Sequence, residues 1–451
     1  MDPEDLLELA DRIVARAEGG EQLEAVVTWS HDTEIRAADG EVEHFVESDA
    51  AGVAVRIIRD GRQGIAWVGS ITDERAIAEC VTEARDNAAF GTPDPNAGLA
   101  EPDGVALQPL DLFDERLARV ATVDKIDLAI ELERRILAAD ARMAGLEASD
   151  YADSTSAAAI ASTTGVRVSG CDTSAYLGAW ALAEDDSGTT TGFGFSVGRS
   201  IEDLSVDVAA VDAVRRCVTM LGATKAPSER LTVVFDPYVT SQFLGLVAEL
   251  LSGEAVLRGR SAFAGRVGEQ VASPLVTLID DPTDPLAPTA DDTDSEGLAC
   301  RRVSLLSAGV LDGYLHNAYT ARSSGTASTG SAQRGGHASP GVGPRVAKLV
   351  TGPGSTPAER ILADVGDGLI VGELSGLHSG VNPVSGDLSV GVEGVRLRGG
   401  ESAEPIREVT IGSTLQRMLL DVVAVGDDLT YFPWEATGVT LAIADVTMSG
   451  T

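Results

Sequence analysis

The 451-residue chain reads as an α+β protein, with two small N-terminal α+β segments and a larger β-rich C-terminal domain. Three observations predict this. The order helix, antiparallel strands, helix occurs twice. A stretch rich in proline and glycine, residues 91–110, separates the two occurrences. Beyond residue 229, short apolar runs and glycine-rich loops take over.

The first helix is expected over residues 3–18. Asp2 suits its cap, Pro3 its first turn, and Leu6, Leu7, Ala10, Ile13, Val14 and Ala17 make one apolar face. Alternating segments follow at Leu23–Ser30, His31–Ala38, Glu41–Ser48, Gly52–Arg59 and Gly64–Ser70. The pair Asp60-Gly61 between two apolar runs predicts a tight hairpin, because both turn residues need positive φ. A second helix fits residues 73–89, with Ala76, Ile77, Cys80, Val81 and Ala84 facing inward. Residues 91–110 hold four prolines and three glycines and read as a linker. A helix over 123–140 comes next. Strands are expected near 145–151, 156–163, 166–172, 175–183 and 190–197, and then a helix over 201–222. The third region opens with the β-rich run Leu231–Phe235 and a helix over 238–251. An acidic loop, Asp280–Glu296, and a closing strand, Val439–Met448, complete the reading. The expected domain bounds are 1–90, a linker 91–110, 111–225 and 226–451.

No segment has about 18 uninterrupted apolar residues, so no membrane span is expected. The start, Met1-Asp2-Pro3-Glu4-Asp5, is acidic, unlike the basic opening of a signal peptide, and predicts a cytoplasmic protein. Cys80, Cys171, Cys217 and Cys300 lie far apart, without CxxC or zinc-site spacing, and read as reduced thiols. The formal charge is −36, and Lys125, Lys225 and Lys348 are the only lysines. Such self-repulsion is relieved when salt shortens the Debye length, which points to a salt-adapted host. No basic stripe is present to neutralise phosphates, so nucleic-acid binding is not expected.

The five histidines are His31, His44, His316, His337 and His378, and no two lie within five residues of each other. A helical HExxH or HExxxH pair, which would aim two imidazoles at one cation, is therefore absent. No P-loop occurs, since no Gly-Lys-Ser/Thr run is present. Cys300 precedes Arg301 and Arg302, which leaves two readings: a thiol of lowered pKa, or a strand-end cysteine beside solvated arginines. The run Asp291–Gly297 lacks the glycine and glutamate positions of an EF-hand and reads as a solvated acidic turn. Two polar, glycine-rich stretches remain, Gly313–Gly336 and Ser375–Asp387. They are either plain flexible loops or loops that bring His316, Arg334, His337 and His378 to one cleft.

These last stretches also resemble the TldD/PmbA family, once described as modulators of DNA gyrase and now regarded as peptidases. The resemblance rests on Gly313–Arg322, on Ser375–Asp387 with Gly391-Val392-Glu393-Gly394, and on the tail from Glu408 through Gly426-Asp427-Asp428-Leu429. Ile279-Asp280-Asp281-Pro282, Glu296-Gly297, Arg301-Arg302 and Leu311–Asn317 also look like its third domain. The resemblance implies two branches. The TldD branch binds zinc through HExxxH and a late cysteine. The TldE (PmbA) branch lacks these ligands and pairs with TldD.

This chain is similar to the second branch. Aligned on Glu249, the motif histidines fall on Ala248 and Gly253, and no cysteine follows Cys300. Glu249 is then vestigial, with no metal-bound water to deprotonate. The implied role is a non-catalytic subunit that encloses the cleft of a TldD-like, zinc-bearing paralogue acting on peptides. Zinc is expected in that partner and no cofactor in this chain. Candidate cleft or interface residues are Tyr314, His316, Asn317, Arg322, Arg334, His378, Asn382 and Asp387, with both loops near the dimer interface. Two alternatives stay open. One is a stand-alone hydrolase built on His316, His378 and Asp387. The other is a homodimeric peptide-binding protein.

Overall fold

A computed structural model describes residues 1–337, 339–352 and 354–451. The N-terminal part comprises α1 (Pro3–Val14), β1 (Gln22–Ala38), β2 (Glu41–Arg59), β3 (Arg62–Val68), α2 (Glu74–Phe90), α3 (Thr122–Ala139), β4 (Met143–Ser162), β5 (Arg167–Asp185), β6 (Gly188–Gly198) and α4 (Val206–Thr219). The two helix–strand–helix segments build one antiparallel sheet, ordered β3-β2-β1-β4-β5-β6. The β1–β4 ladder joins them, from Glu24↔Ser162 to Ala37↔Ser149.

Eight of the strands expected here are in fact four long ones. Leu23–Ser30 and His31–Ala38 are one strand, as are Glu41–Ser48 and Gly52–Arg59. The segments 145–151 and 156–163 form β4, and 166–172 and 175–183 form β5. The polar residues that suggested breaks bond laterally within the sheet instead. Ser30 and Ser154 both donate to Asp32, at 2.8 and 2.6 Å. The expected helix over 201–222 is a 3-10 turn at Ile201–Asp203 followed by α4, because Ser205 caps α4 through Val208 N. The Asp60-Gly61 turn has φ of 52° and 71°, and Asp39-Gly40 repeats it at 54° and 74°.

Strand periodicity divides the sheet between two partners. Leu23, Ala25, Val27, Ile35 and Ala37 of β1 face cores built with α1, α2, α3 and α4. Val26, on the opposite face, packs with Ala54, Ile160, Leu298 and Ala318 against the C-terminal domain. A buried ionic group crosses the same junction. Arg56 grips Glu24 at 2.8 and 3.1 Å, Arg334 reaches Glu24 at 2.7 Å, and Glu296 stands 3.8 Å from Arg56.

The C-terminal domain runs β7 (Glu229–Phe235), α5 (Pro237–Leu250), α6 (Gly253–Leu257), β8 (Leu278–Asp280), β9 (Val303–Ser307), β10 (Val310–Leu311), α7 (Ala318–Ser324), β11 (Ala332–Gln333), β12 (Gly341–Val342) and β13 (Ala347–Leu349). It continues with α8 (Ala358–Val365), β14 (Gly368–Ser375), α9 (Leu377–Gly380), β15 (Asp387–Arg398), β16 (Glu401–Thr414), α10 (Leu415–Leu420), β17 (Val422–Val425) and β18 (Leu441–Ser449). A six-stranded sheet, β16-β15-β14-β7-β18-β17, closes on itself through a β16–β18 pairing. Its barrel encloses Val233, Phe235, Leu369, Val371, Val390, Ile411 and Ile443, and Phe243, Leu244 and Val247 of α5 pack against this core.

Residues 91–110 form no helix or strand, yet they are pinned. Leu99 and Ala100 are buried. Arg322 donates to the carbonyls of Asn96, Gly98 and Leu99, and Arg301 pairs with Asp103 at 2.7 Å. Among the described residues no helix is long and apolar enough to cross a membrane.

Candidate functional site

Helix α5 leaves β7 at Asp236, whose carboxylate caps it through Val239 N at 2.8 Å. One face of α5 is spent on the barrel. The other, Tyr238, Ser241, Gln242, Gly245, Leu246 and Glu249, lines a cleft of about 620 Å³. These positions recur every three or four residues, as one helical face must. The far wall is Gln333, Val342, Gly343, Pro344, Leu377 and Trp434-Glu435-Ala436.

Trp434 Nε1 donates to Ser241 Oγ at 3.0 Å, and Ser241 Oγ donates to the Tyr238 carbonyl at 2.7 Å. Gln242 Nε2 donates to Tyr238 Oη at 3.2 Å, while the buried Gln242 Oε1 finds no partner among the described residues. Behind Tyr238 lies an aromatic cluster. Phe432 stacks on Trp434 with centroids 4.9 Å apart, and Tyr238 stands 5.7 Å from Trp434 and 4.7 Å from Phe193. Arg216 lies over both Phe193 and Tyr238, at 4.6 and 4.9 Å, and pairs with Asp236 at 3.2 Å. Burial, opposed by Arg216, pushes the Asp236 carboxyl up from its ordinary value.

The sequence-derived candidates scatter around this cleft. Glu249 does line it, and is exposed. Ala248 and Gly253, the positions assigned to motif histidines, do not. Ala248 is 0% exposed in the barrel core, because it stands about 100° around the helix from Glu249. Gly253 lies past the end of α5, against the ring of His316.

His316 is a packed core histidine. Its Nδ1 meets Thr320 Oγ1 at 3.1 Å, and burial lowers its pKa. Asn317 caps α7 and donates to the carbonyls of Pro340 and Gly341 at 3.1 and 3.0 Å. Tyr314 Oη donates to Phe263 O at 2.8 Å. Arg322 clamps residues 96–99, and Arg334 serves the Glu24 pair. The ring of His337 stacks on Trp67 at 4.0 Å. His316, Arg334 and His337 are each engaged by a different neighbour and His378 is exposed, so no described contact joins the four in one cleft.

His378, Asn382 and Asp387 are exposed on the second loop. Asn382 Oδ1 accepts from Val384 N and Ser385 N, and Asp387 accepts from Ser385 Oγ. That loop reaches the cleft through Leu377 instead. His316, His378 and Asp387 share no hydrogen bond, so the structure does not assemble them as a triad. Cys300 is buried, and burial pushes its thiol well up, away from thiolate character.

The residues missed by sequence reasoning are Tyr238, Gln242, Trp434 and Glu435. A signal existed: Phe432-Pro433-Trp434-Glu435 stands out in a chain only 4% aromatic.

Three successive family descriptions match the chain: PmbA/TldA metallopeptidase domain 1 over residues 23–88, the central domain over 115–221, and the C-terminal domain over 228–450. The chain belongs to the PmbA/TldD family. The Metalloprotease PmbA of Escherichia coli O157:H7 is 28% identical over 407 residues, covering 90% of this chain and 87% of that protein. Two solved structures share the PmbA/TldD fold. TldE from Thermococcus kodakarensis superposes with a TM-score of 0.88 at 22% identity, covering 99% of both chains. A Thermotoga maritima protein, solved as a candidate modulator of a DNA gyrase, gives 0.89 at 23% identity, covering 98% of this chain and 99% of that one.

The PmbA/TldD family is named for metallopeptidases, so the donor set of the α5 cleft bears on a metal. Among the described residues its only carboxylates are Glu249 and Glu435, and none supplies an imidazole or a thiolate. Among the described residues no group of three or more His, Cys, Asp and Glu side chains is arranged to hold a metal ion. These residues do not fit a catalytic zinc, which takes three protein ligands.

Proposed function

We propose that this chain is the non-catalytic, TldE-like subunit of a two-chain zinc peptidase. The partner is a TldD-like paralogue that carries the zinc, and this chain completes and encloses its peptide cleft. One observation carries the reading: the cleft-facing positions of α5 are Tyr238, Ser241, Gln242, Gly245, Leu246 and Glu249, so the helix offers no histidine to a cation. Without a metal-bound water, Glu249 has no nucleophile to deprotonate in a zinc-peptidase mechanism. What this chain supplies is a wall that excludes water and positions substrate. The four free cysteines suit a reducing cytoplasm.

The test is affinity capture from the native host, followed by peptide-cleavage assays of the lone chain and of the captured complex, with and without chelator. The expected result is recovery of a zinc-bearing partner, cleavage by the complex that chelator abolishes, and none by the lone chain. Chelator-resistant cleavage by the isolated chain would overturn the proposal in favour of the stand-alone hydrolase. Recovery of the chain with itself alone would favour the homodimeric binder.

A further inference from the structure

We infer that the α5 cleft binds a peptide-borne cation, a lysine or arginine side chain or a terminal ammonium, flanked by an apolar side chain. This rests on the peptide-handling role proposed above and adds the chemistry of the ligand.

Among the described residues the lining contains no lysine, arginine or histidine. Its charged groups are the carboxylates of Glu249 and Glu435, both exposed to the cleft. The exposed part of Gln242 also lines the cleft, while its Oε1 is enclosed behind the surface. Two carboxylates and no cation among the described lining residues favour a donor-rich, positively charged group.

The walls between these acceptors are apolar or aromatic: Leu246, Val342, Leu377, Tyr238 and Trp434. Aromatic faces attract cations through the ring quadrupole. This cluster already does so inside the fold, where the Arg216 guanidinium lies 4.9 Å from the Tyr238 centroid. A volume of about 620 Å³ admits one or two side chains with their backbone.

The general negative charge of the protein would also draw cations, so the test screens it. Titrations are run on the isolated chain in 1 M KCl, where the Debye length is about 3 Å. Four blocked or free pentapeptides serve as probes: acetyl-Ala-Lys-Phe-Lys-Ala-amide, its glutamate counterpart, acetyl-Ala-Ala-Phe-Ala-Ala-amide, and the last with a free N-terminus. The expected result is that a cationic probe binds about tenfold tighter than the blocked neutral one. The lysine and free-amine probes distinguish the two sources of charge.

The preference should vanish in the Glu249→Gln/Glu435→Gln variant, and Trp434→Leu should weaken every probe. Equal affinity for neutral and cationic probes overturns the inference, and so does a preference that survives the double substitution. The wild-type comparison decides alone should a variant fail to fold. Failure here leaves the subunit reading standing, because that reading is tested by partner capture.

Discussion

His316 and Gly253 share one space: a Cβ built on Gly253 would lie 2.4 Å from His316 Nδ1 and 2.6 Å from Cε1. The imidazole is buried and held by Thr320, so it cannot swing clear without losing that bond. Gly253→Ala is expected to cost about 1–3 kcal/mol by overpacking. Urea unfolding measures this, and a double-mutant cycle with His316→Ala should be non-additive because the two residues touch. Gly253→His should destabilise likewise and bring no zinc into the protein, which metal analysis checks.

Arg56 is the hub of the junction between the two parts of the molecule. Burial alone would raise the Glu24 carboxyl, but Arg56 and Arg334 hold it below its ordinary value. Arg56→Ala leaves buried Glu24 with Arg334 alone and removes the cation 3.8 Å from Glu296. Removing one partner of such a pair costs about 3–5 kcal/mol, readable as a shift of the urea midpoint at fixed salt.

Glu296 gives the protein a pH dependence of definite sign. Burial pushes its carboxyl up to about 7, against Arg56, and burial pushes Asp280 and Asp294 up to about 6. A carboxyl with a raised folded pKa takes up a proton on folding. Its contribution is full below the unfolded value near 4.5 and is lost as pH rises toward 7. Glu296→Gln should flatten the fall in stability between pH 5 and 7 by up to about 1.4 kcal/mol per unit. The variant keeps an acceptor for Ala318 N. Melting curves across that pH range test it.

Arg322 holds the 91–110 segment through three backbone carbonyls. Arg322→Ala should cost about 1.5–3 kcal/mol, the worth of hydrogen bonds from a charged donor. The local sign should be faster proteolytic cutting between residues 91 and 110, compared with wild type at equal bulk stability.

The net charge of −36 predicts a salt requirement. The melting temperature should rise between dilute buffer and molar KCl as self-repulsion is screened. Equal melting temperatures in both would count against a salt-adapted protein.

The fold class was legible because its signals are local. Apolar periodicity marked α1 and α2, and Asp60-Gly61 marked its hairpin. Strand lengths were less legible. Ser30 and Asp32 look like breakers in one dimension, but in the sheet they bond each other and the next strand. The two N-terminal segments read as separate layers because nothing in either one announces the β1–β4 ladder.

For the site, the resemblance singled out Glu249 as the motif-glutamate position, and its place on the cleft came only from the structure. Helical phase shows Ala248 turned into the barrel, which needs the barrel to be present. Arg322 and Arg334 look like ligand-binding cations in sequence, yet each is consumed by partners more than 200 residues away in the chain.

By itself the sequence determined what this protein lacks and what it is charged with. Without histidine in α5 or cysteine after Cys300, no arrangement of that helix supplies imidazole or thiolate to a metal, and the excess of carboxylates is independent of folding. Only the tertiary structure decided which groups face one another. Tyr238, Gln242, Trp434 and Glu435 meet because β7, α5 and the segment before β18 are brought together by barrel closure. That closure depends on hydrogen-bond pairing between distant strands, which local residue patterns do not encode.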